Sequence, residues 1–565
     1  MKLRVILSLL PLGLTVACGA DPSPPDGQLN DAPCPGELVS HVVEGSVSSA
    51  DEKSYHLLPV EVPPGTERVS VAYTWADNSG PPETPLTQTV LDLGLWDADG
   101  YRSATGFRGW SGSRQGRIHA DQAPVEVTAR TASRGYTAGP IEAGTWHVEL
   151  GIAAVAPQGA SWRVEVTLEC DIATIPRAVP DPVDPRHVAR HAPGWYHGDF
   201  HMHGVHSNPN APSEAQIADL ARDAGLDFLM ITDYVVGRHW EEWGATQRAN
   251  PDLLIWPGRE IITYFGHANT HGETPQLLEY RHGFEDVSLG DIQREAKAAG
   301  ALFQVNHPTL FPGPVFENFC RGCEFTLGEE IDWALVDTIE ILTGPVLANG
   351  SDLGLPIPGQ IENPFLQTAI QYWEDLLMRG FPITAVSGSD SKGTQDTPEE
   401  RARSGYGSSA TAVFAAELSR AGLREGLAQG RAYVRTRGAL HSPALTFTAT
   451  APDGSEVMFG GSLGADTATL RVRVTGGQGQ ILTYYRNGLP MRAVPITADP
   501  FEHSLEAGRG LVEGPLGSFW RIETRDLESR TAIGNPIFLR GSSPSQVAKP
   551  GTPRAGQHSG RMAAS

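Results

Sequence analysis

The chain has 565 residues, enough for about three domains with separate cores, and 66 acidic against 43 basic residues give it a formal charge of −23. That balance argues against the basic face a phosphate backbone demands, so no nucleic-acid partner is expected. Beyond the N-terminal segment, no apolar run approaches the roughly 18 residues of a membrane helix.

Residues 1–17 open on Met-Lys-Leu-Arg and continue through an apolar run to Ala17, the organisation of a signal peptide. The ending Leu-Thr-Val-Ala-Cys resembles a bacterial lipoprotein signal. That resemblance implies that Cys18 becomes the lipidated first residue, held by several acyl chains in the cell envelope. No aspartate follows Cys18, which implies delivery to the outer membrane; secretion without an anchor is the alternative. Residues 18–33, rich in Pro, Asp and Gly, read as a flexible tether. Residues 34–172 carry alternating segments at 67–73, 91–96, 145–151 and 162–168, separated by turn residues, and predict an N-terminal β-sandwich. Cys34 and Cys170 bracket this domain and can staple its ends in an oxidising compartment. Residues 173–185 form a linker.

Between 186 and 438 the rhythm changes to strand and helix in alternation. Strands are predicted at 226–233, 301–307, 336–342 and 382–390. Helices precede the first two and the last: one opened by Ser213, with Gln216 at the capping-box position, one at 289–299 and one at 365–378. This alternation predicts a parallel sheet, and with so many units a barrel whose active site lies at the strand ends. Cys320-Arg-Gly-Cys323 is a single CxxC without a second pair for zinc or a thioredoxin-like context, and reads as a local loop disulfide. From 439 to 541 strands return, at 445–450, 469–474, 481–486 and 520–524, and predict a C-terminal β-sandwich. Residues 542–565, rich in Ser, Gly, Pro and Ala, read as a disordered tail.

Residues 187–307 hold 11 of the 18 histidines in about a fifth of the chain, so the excess is local. His201 and His203, in Phe-His-Met-His, stand two apart after a strand-like run, a spacing that puts both imidazoles on one face. Ligand-type residues recur at other predicted strand ends: Asp233 in Ile-Thr-Asp-Tyr, Glu260 in Pro-Gly-Arg-Glu, His267 in Phe-Gly-His, His307 in Val-Asn-His-Pro and Asp390 in Gly-Ser-Asp-Ser-Lys. Each alone is most often structural. Together they can converge on one barrel mouth.

The set resembles the polymerase and histidinol phosphatase (PHP) domain, whose pattern is HxH, TDH, a Glu with a nearby GH, NHP and DxH. The flanks are similar to carbaryl-hydrolase-like metallohydrolases: Trp-Tyr-His-Gly-Asp before the HxH, Gly-Leu-Asp-Phe-Leu-Met-Ile-Thr-Asp after the first helix, and Gly-Arg-Ala-Tyr-Val at the end of the region. The segment 136–146, Tyr-Thr-Ala-Gly-Pro-Ile-Glu-Ala-Gly-Thr-Trp, resembles the domain that precedes many such barrels. The resemblance implies a multidomain chain with a central distorted α/β (PHP-type) barrel between two β-sandwiches. It implies that His201, His203, Glu260 and Asp390 hold one ion, and that Glu260, His267 and His307 hold a second, with Glu260 bridging. Tyr234 and Lys392 stand where three-metal members carry third-site histidines. A two-metal centre of zinc, manganese or iron is therefore expected, with the Lys392 ammonium in place of the third cation. Tyr234 reads as a packing residue. His206 is either a loop histidine or a leftover third-site ligand.

Two divalent ions sharing a carboxylate activate water against an ester-type bond in a small-molecule substrate. Lys392 or Arg259 would stabilise the developing oxyanion, and Asp390 or Asp233 would handle a proton. An ammonium is a good point-charge partner for phosphate, which favours a phosphoester slightly. The nearer resemblance implies a carbamate or carboxylic ester. A catalytically inactive, metal-containing surface lipoprotein used for binding is the alternative from another class. Oligomeric state stays open.

Overall fold

The computed structural model describes residues 39–541 apart from 79–86, 114–122, 173–178, 273, 317–319, 351–357 and 394–404. The expected signal peptide, Cys18 with its tether, Cys34, and the tail from 542 lie outside the described residues. So does part of the expected linker.

The N-terminal region builds two four-stranded antiparallel sheets. One orders Val39–Val47, Ala160–Glu169, Arg68–Asp77 and Val125–Thr128, and the other Ser54–Val62, Gly144–Ala154, Val90–Trp96 and Phe107–Trp110. Along Ala160–Glu169 every second residue is buried, the period-2 signature of a strand with one face on a core. Val69, Leu93, Trp146, Leu150 and Val164 meet there. Cys170, at the end of this region, is disulfide-bonded.

In the central region, helix Glu214–Asp223 starts at Ser213, whose side chain accepts from the Gln216 amide while Gln216 reaches back to the Ser213 amide. Such a reciprocal cap contributes roughly 1 kcal/mol. Helices Leu289–Ala298 and Pro364–Arg379 precede strands Leu302–Val305 and Thr384–Gly388. Strand Gly194–Met202 pairs in parallel with Phe228–Ile231, and that with Leu254–Thr263; Leu302–Val305, Thr338–Thr343 and Thr384–Gly388 form a second parallel run.

The structure departs from the expected closed, parallel barrel. Leu254–Thr263 turns at Tyr264 and Phe265 into Gly266–His271, and this hairpin joins the two parallel runs with antiparallel ladders on both of its sides. The turn contains no Asn-Gly or Asp-Gly pair, so the sequence carried no hairpin signal there. The resulting sheet is mixed and open. Where it curls back, a single parallel bridge, Met202 with Ser391, ties the HxH strand to the residues after Thr384–Gly388.

The C-terminal region is not a separate unit. Ala432–Arg435 of the central sheet pairs with Arg530–Gly534, so the central strands and one C-terminal layer form a single 15-stranded sheet. A four-stranded sheet of Glu456–Met458, Ala444–Thr450, Thr467–Thr475 and Phe501–Gly508 packs over that layer through Phe447, Leu470, Tyr484 and Ile522.

The N-terminal sandwich is fixed to the central region by buried polar contacts. Glu149, fully buried, accepts from Trp96 Nε1 at 2.8 Å and from Tyr280 Oη at 2.7 Å, and lies 3.4 Å from Arg281 Nη1. A carboxylate withdrawn from water persists only with such a set of donors. Tyr264 Oη donates to Asp92 Oδ2 at 2.9 Å, so the hairpin turn itself docks on the sandwich. No helix of the described residues is long and apolar enough to cross a membrane.

Candidate metal centre

The local ladders explain why the predicted ligands meet. His201 lies near the end of strand Gly194–Met202 and His203 just beyond it, on the same face. Glu260 sits opposite Asn269 across the hairpin, so His267, two residues from Asn269, projects on the face of Glu260. His307 and Asp390 follow strands Leu302–Val305 and Thr384–Gly388. Both are non-glycine residues with positive φ, 25° and 46°, a backbone cost of about 1–3 kcal/mol each that is typically retained at functional sites. Gly388 lets the last strand approach: a methyl there would collide with the backbone and Cβ of His201.

The ligand atoms of His201, His203, Glu260 and Asp390 all lie within 4.8 Å of one another. Glu260 Oε2 is 3.3 Å from His201 Nε2 and 3.4 Å from His203 Nε2, while Oε1 is 3.2 Å from His267 Nδ1 and 3.8 Å from His307 Nε2. Asp390 Oδ1 is 3.0 Å from His203 Nε2 and 3.6 Å from His201 Nε2. One carboxylate thus faces two groups of imidazoles, one with each oxygen.

Hydrogen bonds on the far side of each ring fix what the near side offers. His201 Nδ1 meets Glu340 Oε2 at 3.1 Å, and a carboxylate can only accept, so Nδ1 carries a proton and Nε2 is the nitrogen turned inward. His203 Nδ1 meets Ser207 Oγ at 3.0 Å; Ser207 spends its own proton on Asp233 Oδ1 at 2.7 Å and therefore accepts from the ring. His267 Nε2 donates to Arg321 O at 2.9 Å, and His307 Nδ1 to Cys323 O at 3.2 Å. Four imidazoles, each with its outer nitrogen already hydrogen-bonded, therefore turn their other nitrogen toward carboxylate oxygens. His201 Nε2 is fully buried without a hydrogen-bond partner. Two buried carboxylates among four imidazoles call for positive charge, and imidazole with carboxylate suits a divalent metal.

The electrostatics agree. Burial opposes charge on Glu260 and Asp390, yet both are held well below the usual carboxylate range, Glu260 chiefly by His201 and Asp390 by the Lys392 ammonium and His201. Burial also opposes charge on His201, but Glu260, Glu340 and Asp390 raise it well above the usual imidazole range. His203 is lowered by burial and by Lys392. The field at His201 calls for positive charge.

The other predicted residues fall into two groups. Lys392 belongs to the cluster: Nζ is 2.6 Å from Asp390 Oδ1 and 5.6 Å from the Tyr234 ring centre, and its side chain keeps 37% of its exposure. Tyr234 packs edge-on against Trp110 of the sandwich and beside His203, and burial keeps its phenol protonated by pushing it up. Asp233 is almost fully buried and accepts from Gly204 N, Ser207 N and Ser207 Oγ, so it anchors the loop that orients His203. Arg259 turns away. Its guanidinium donates to the carbonyls of Val235 at 2.9 Å, Thr274 at 3.2 Å and Gln276 at 2.8 Å, contacts that hold loops rather than an oxyanion. His206 is neither a surface histidine nor part of the cluster: it is buried, accepts from Gly135 N at 3.1 Å and meets Glu242 Oε2 at 2.7 Å, joining the sandwich to the central region.

Two residues complete the support: Asp199, which closes the Trp-Tyr-His-Gly-Asp motif but carried no expected role, and Glu340, which lies in no motif. Asp199, fully buried, accepts from the amides of His201, Ser389 and Gly407, tying both ligand segments together; burial raises it to about 6. Glu340, also fully buried, accepts from His201 Nδ1, from the His307 amide at 3.2 Å and from Thr343 Oγ1 at 2.7 Å. Its oxygens are thereby committed to donors, and it orients ligands rather than acting as one. An acid inside an otherwise apolar strand, Thr-Ile-Glu-Ile-Leu, was the available signal. Replacing Glu340 by Gln is expected to weaken metal binding about 10- to 100-fold, measured by chelator competition, because a carboxamide can turn a donor to His201 Nδ1. Unchanged affinity would remove Glu340 from the site.

A cavity of about 590 Å³, lined by Arg431, Glu456, Phe459 and Arg540 among others, touches none of these ligands. Chemistry, not volume, locates the centre.

No protein-family model and no curated protein matches the sequence. Among solved structures, the chain is similar to a two-domain protein from Bacteroides vulgatus containing a predicted PHP-like metal-dependent phosphoesterase, with a TM-score of 0.33 and 18% identity over 64% of this chain and 100% of that one. A putative metal-dependent phosphoesterase from Bifidobacterium adolescentis has a TM-score of 0.24 and 12% identity over 41% of this chain and 95% of that one. With likenesses this distant, the metal centre rests on its ligand geometry.

Proposed function

We propose that this chain is a PHP-type metallohydrolase that uses two divalent ions, with Glu260 between them, to hydrolyse a phosphoester. The observation that supports this most is the convergence of four imidazole nitrogens on the two oxygens of Glu260 and on Asp390. His201, His203, Glu260 and Asp390 would hold one ion, and Glu260, His267 and His307 the other. When bound, such a pair supplies a water that is nucleophilic at neutral pH and polarises the bond under attack.

The chain's own groups would do the rest. Lys392, partly exposed beside Asp390, offers an ammonium to a phosphoryl oxygen. Of the two carboxylates considered for proton handling, Asp233 is sealed behind Ser207, whereas Asp390 keeps 23% of its side-chain exposure and faces the open side of the cluster. Proton handling is therefore assigned to Asp390. Tyr234, packed edge-on against Trp110, lies beside Lys392 on the same side.

The test is a substrate panel on metal-loaded protein: aryl phosphate mono- and diesters, an aryl carbamate and an aryl acetate. Phosphoester turnover is expected to exceed carbamate turnover at least about tenfold in kcat/KM, an advantage of about 1.4 kcal/mol. The reverse preference would establish the carbamate or carboxylic ester reading, and no turnover of any compound would leave a binding lipoprotein. We also infer anchoring in the cell envelope through a lipidated Cys18. Labelling by a fatty-acid analogue that persists in Cys18→Ala would refute it.

A further inference from the structure

The CxxC segment forms the local loop disulfide its sequence implied, and that loop packs against two of the candidate metal ligands. Cys320 and Cys323 form a disulfide, and the carbonyls of Arg321 and Cys323, inside that four-residue ring, accept from His267 Nε2 and His307 Nδ1. These are the two histidines that face Glu260 Oε1. Both contacts select the ring tautomer and fix the ring plane, because a carbonyl can only accept. Gly322, with φ 77°, makes the fit possible: a methyl there would run into the Thr263 carbonyl and stand 2.9 Å from His267 Nε2. Cys323 is buried and its sulfur lies within 4.8 Å of a ring nitrogen of each histidine, whereas Cys320 lines a cavity of about 230 Å³ shared with Lys53, Phe265 and Phe311. The disulfide is therefore approachable from one side and in contact with the metal ligands on the other.

We propose that the Cys320–Cys323 loop is a disulfide-closed clasp that positions His267 and His307, and that its integrity sets the affinity for the ion held between them and Glu260. The inference rests on the two-ion reading of the proposed function. With the ring closed, two carbonyls reach the two imidazoles at once. Opening it gives the segment freedom that both contacts must then pay for in conformational entropy. Cys323 is a support in this arrangement, since a disulfide sulfur offers no thiolate.

The experiment measures zinc binding to the full chain by competition with a chromophoric chelator, resolving the two ions. It compares the parent with Gly322→Ala and with Cys320→Ser/Cys323→Ser. A third sample is the parent treated with a water-soluble phosphine, where disulfide, phosphine and water give two thiols and the phosphine oxide. Binding of one ion is expected to weaken about 10- to 100-fold in all three samples while the other changes less than about threefold. The unfolding temperature of the metal-free protein is expected to stay the same in the two-serine variant, which separates positioning from a general loss of structure. Equal affinities for both ions throughout would overturn the clasp. So would tighter binding after reduction accompanied, in cobalt-loaded protein, by a new near-ultraviolet thiolate charge-transfer band, which would make Cys323 a ligand. A parent that binds fewer than two ions would instead bring down the two-ion reading, and the clasp with it.

Discussion

Glu260→Gln is expected to empty the centre. Both oxygens of Glu260 are used, Oε2 toward His201 and His203 and Oε1 toward His267 and His307, so one substitution touches every imidazole in the cluster. A carboxamide keeps the shape but carries no charge and turns an N–H₂ donor toward one pair of rings. Elemental analysis of protein purified without chelator should fall from about two ions per chain to below about one, and kcat/KM on the best phosphoester should drop at least about a thousandfold, the equivalent of about 4 kcal/mol. Two ions retained at parental affinity would show that Glu260 is not the bridge. Circular dichroism on the same samples guards against misreading a folding defect, because Glu260 is nearly fully buried.

Lys392→Met should behave in the opposite way, with metal retained and turnover lost. The ammonium shares Asp390 Oδ1 with His203, and the same oxygen is an expected ligand, so an ion there leaves Lys392 seeking another anion. Met preserves the aliphatic stem that packs near Tyr234 while deleting the charge. A fall of about 100- to 1,000-fold in kcat/KM for a phosphoester, with a markedly smaller fall for a neutral carbamate, is expected of a group that meets developing negative charge. Equal and small losses on both substrates would leave Lys392 without a role in the reaction. Loss of metal instead of turnover would make it a positioning residue for Asp390.

The side chains that gather in the cluster were legible in the sequence because their placement on strands is local. Two histidines two apart at the end of a strand share a face wherever that strand lies, and Ser213 with Gln216 start their helix through contacts made within one turn. The same locality placed Glu260, His307 and Asp390 at or just beyond strands. It did not reveal the hairpin at Tyr264 and Phe265, whose turn lacks the usual residues, and so it gave a closed parallel barrel where the structure has an open, mixed sheet.

What only the tertiary structure decided is which side chains look inward. Arg259 adjoins Glu260, and although alternation alone puts it on the other face of the strand, only the tertiary structure supplies its partners there, the carbonyls of Val235, Thr274 and Gln276. His206 carries the same imidazole as His203, but Gly135 from the sandwich and Glu242 claim both of its nitrogens. Glu340 stands behind His201 across 139 positions of sequence, and the Arg321 and Cys323 carbonyls reach histidines 54 and 16 positions away. Residue type and spacing fix what a group can do and which local face it occupies. Its partner is chosen by contacts between segments distant in the chain, which no local period encodes.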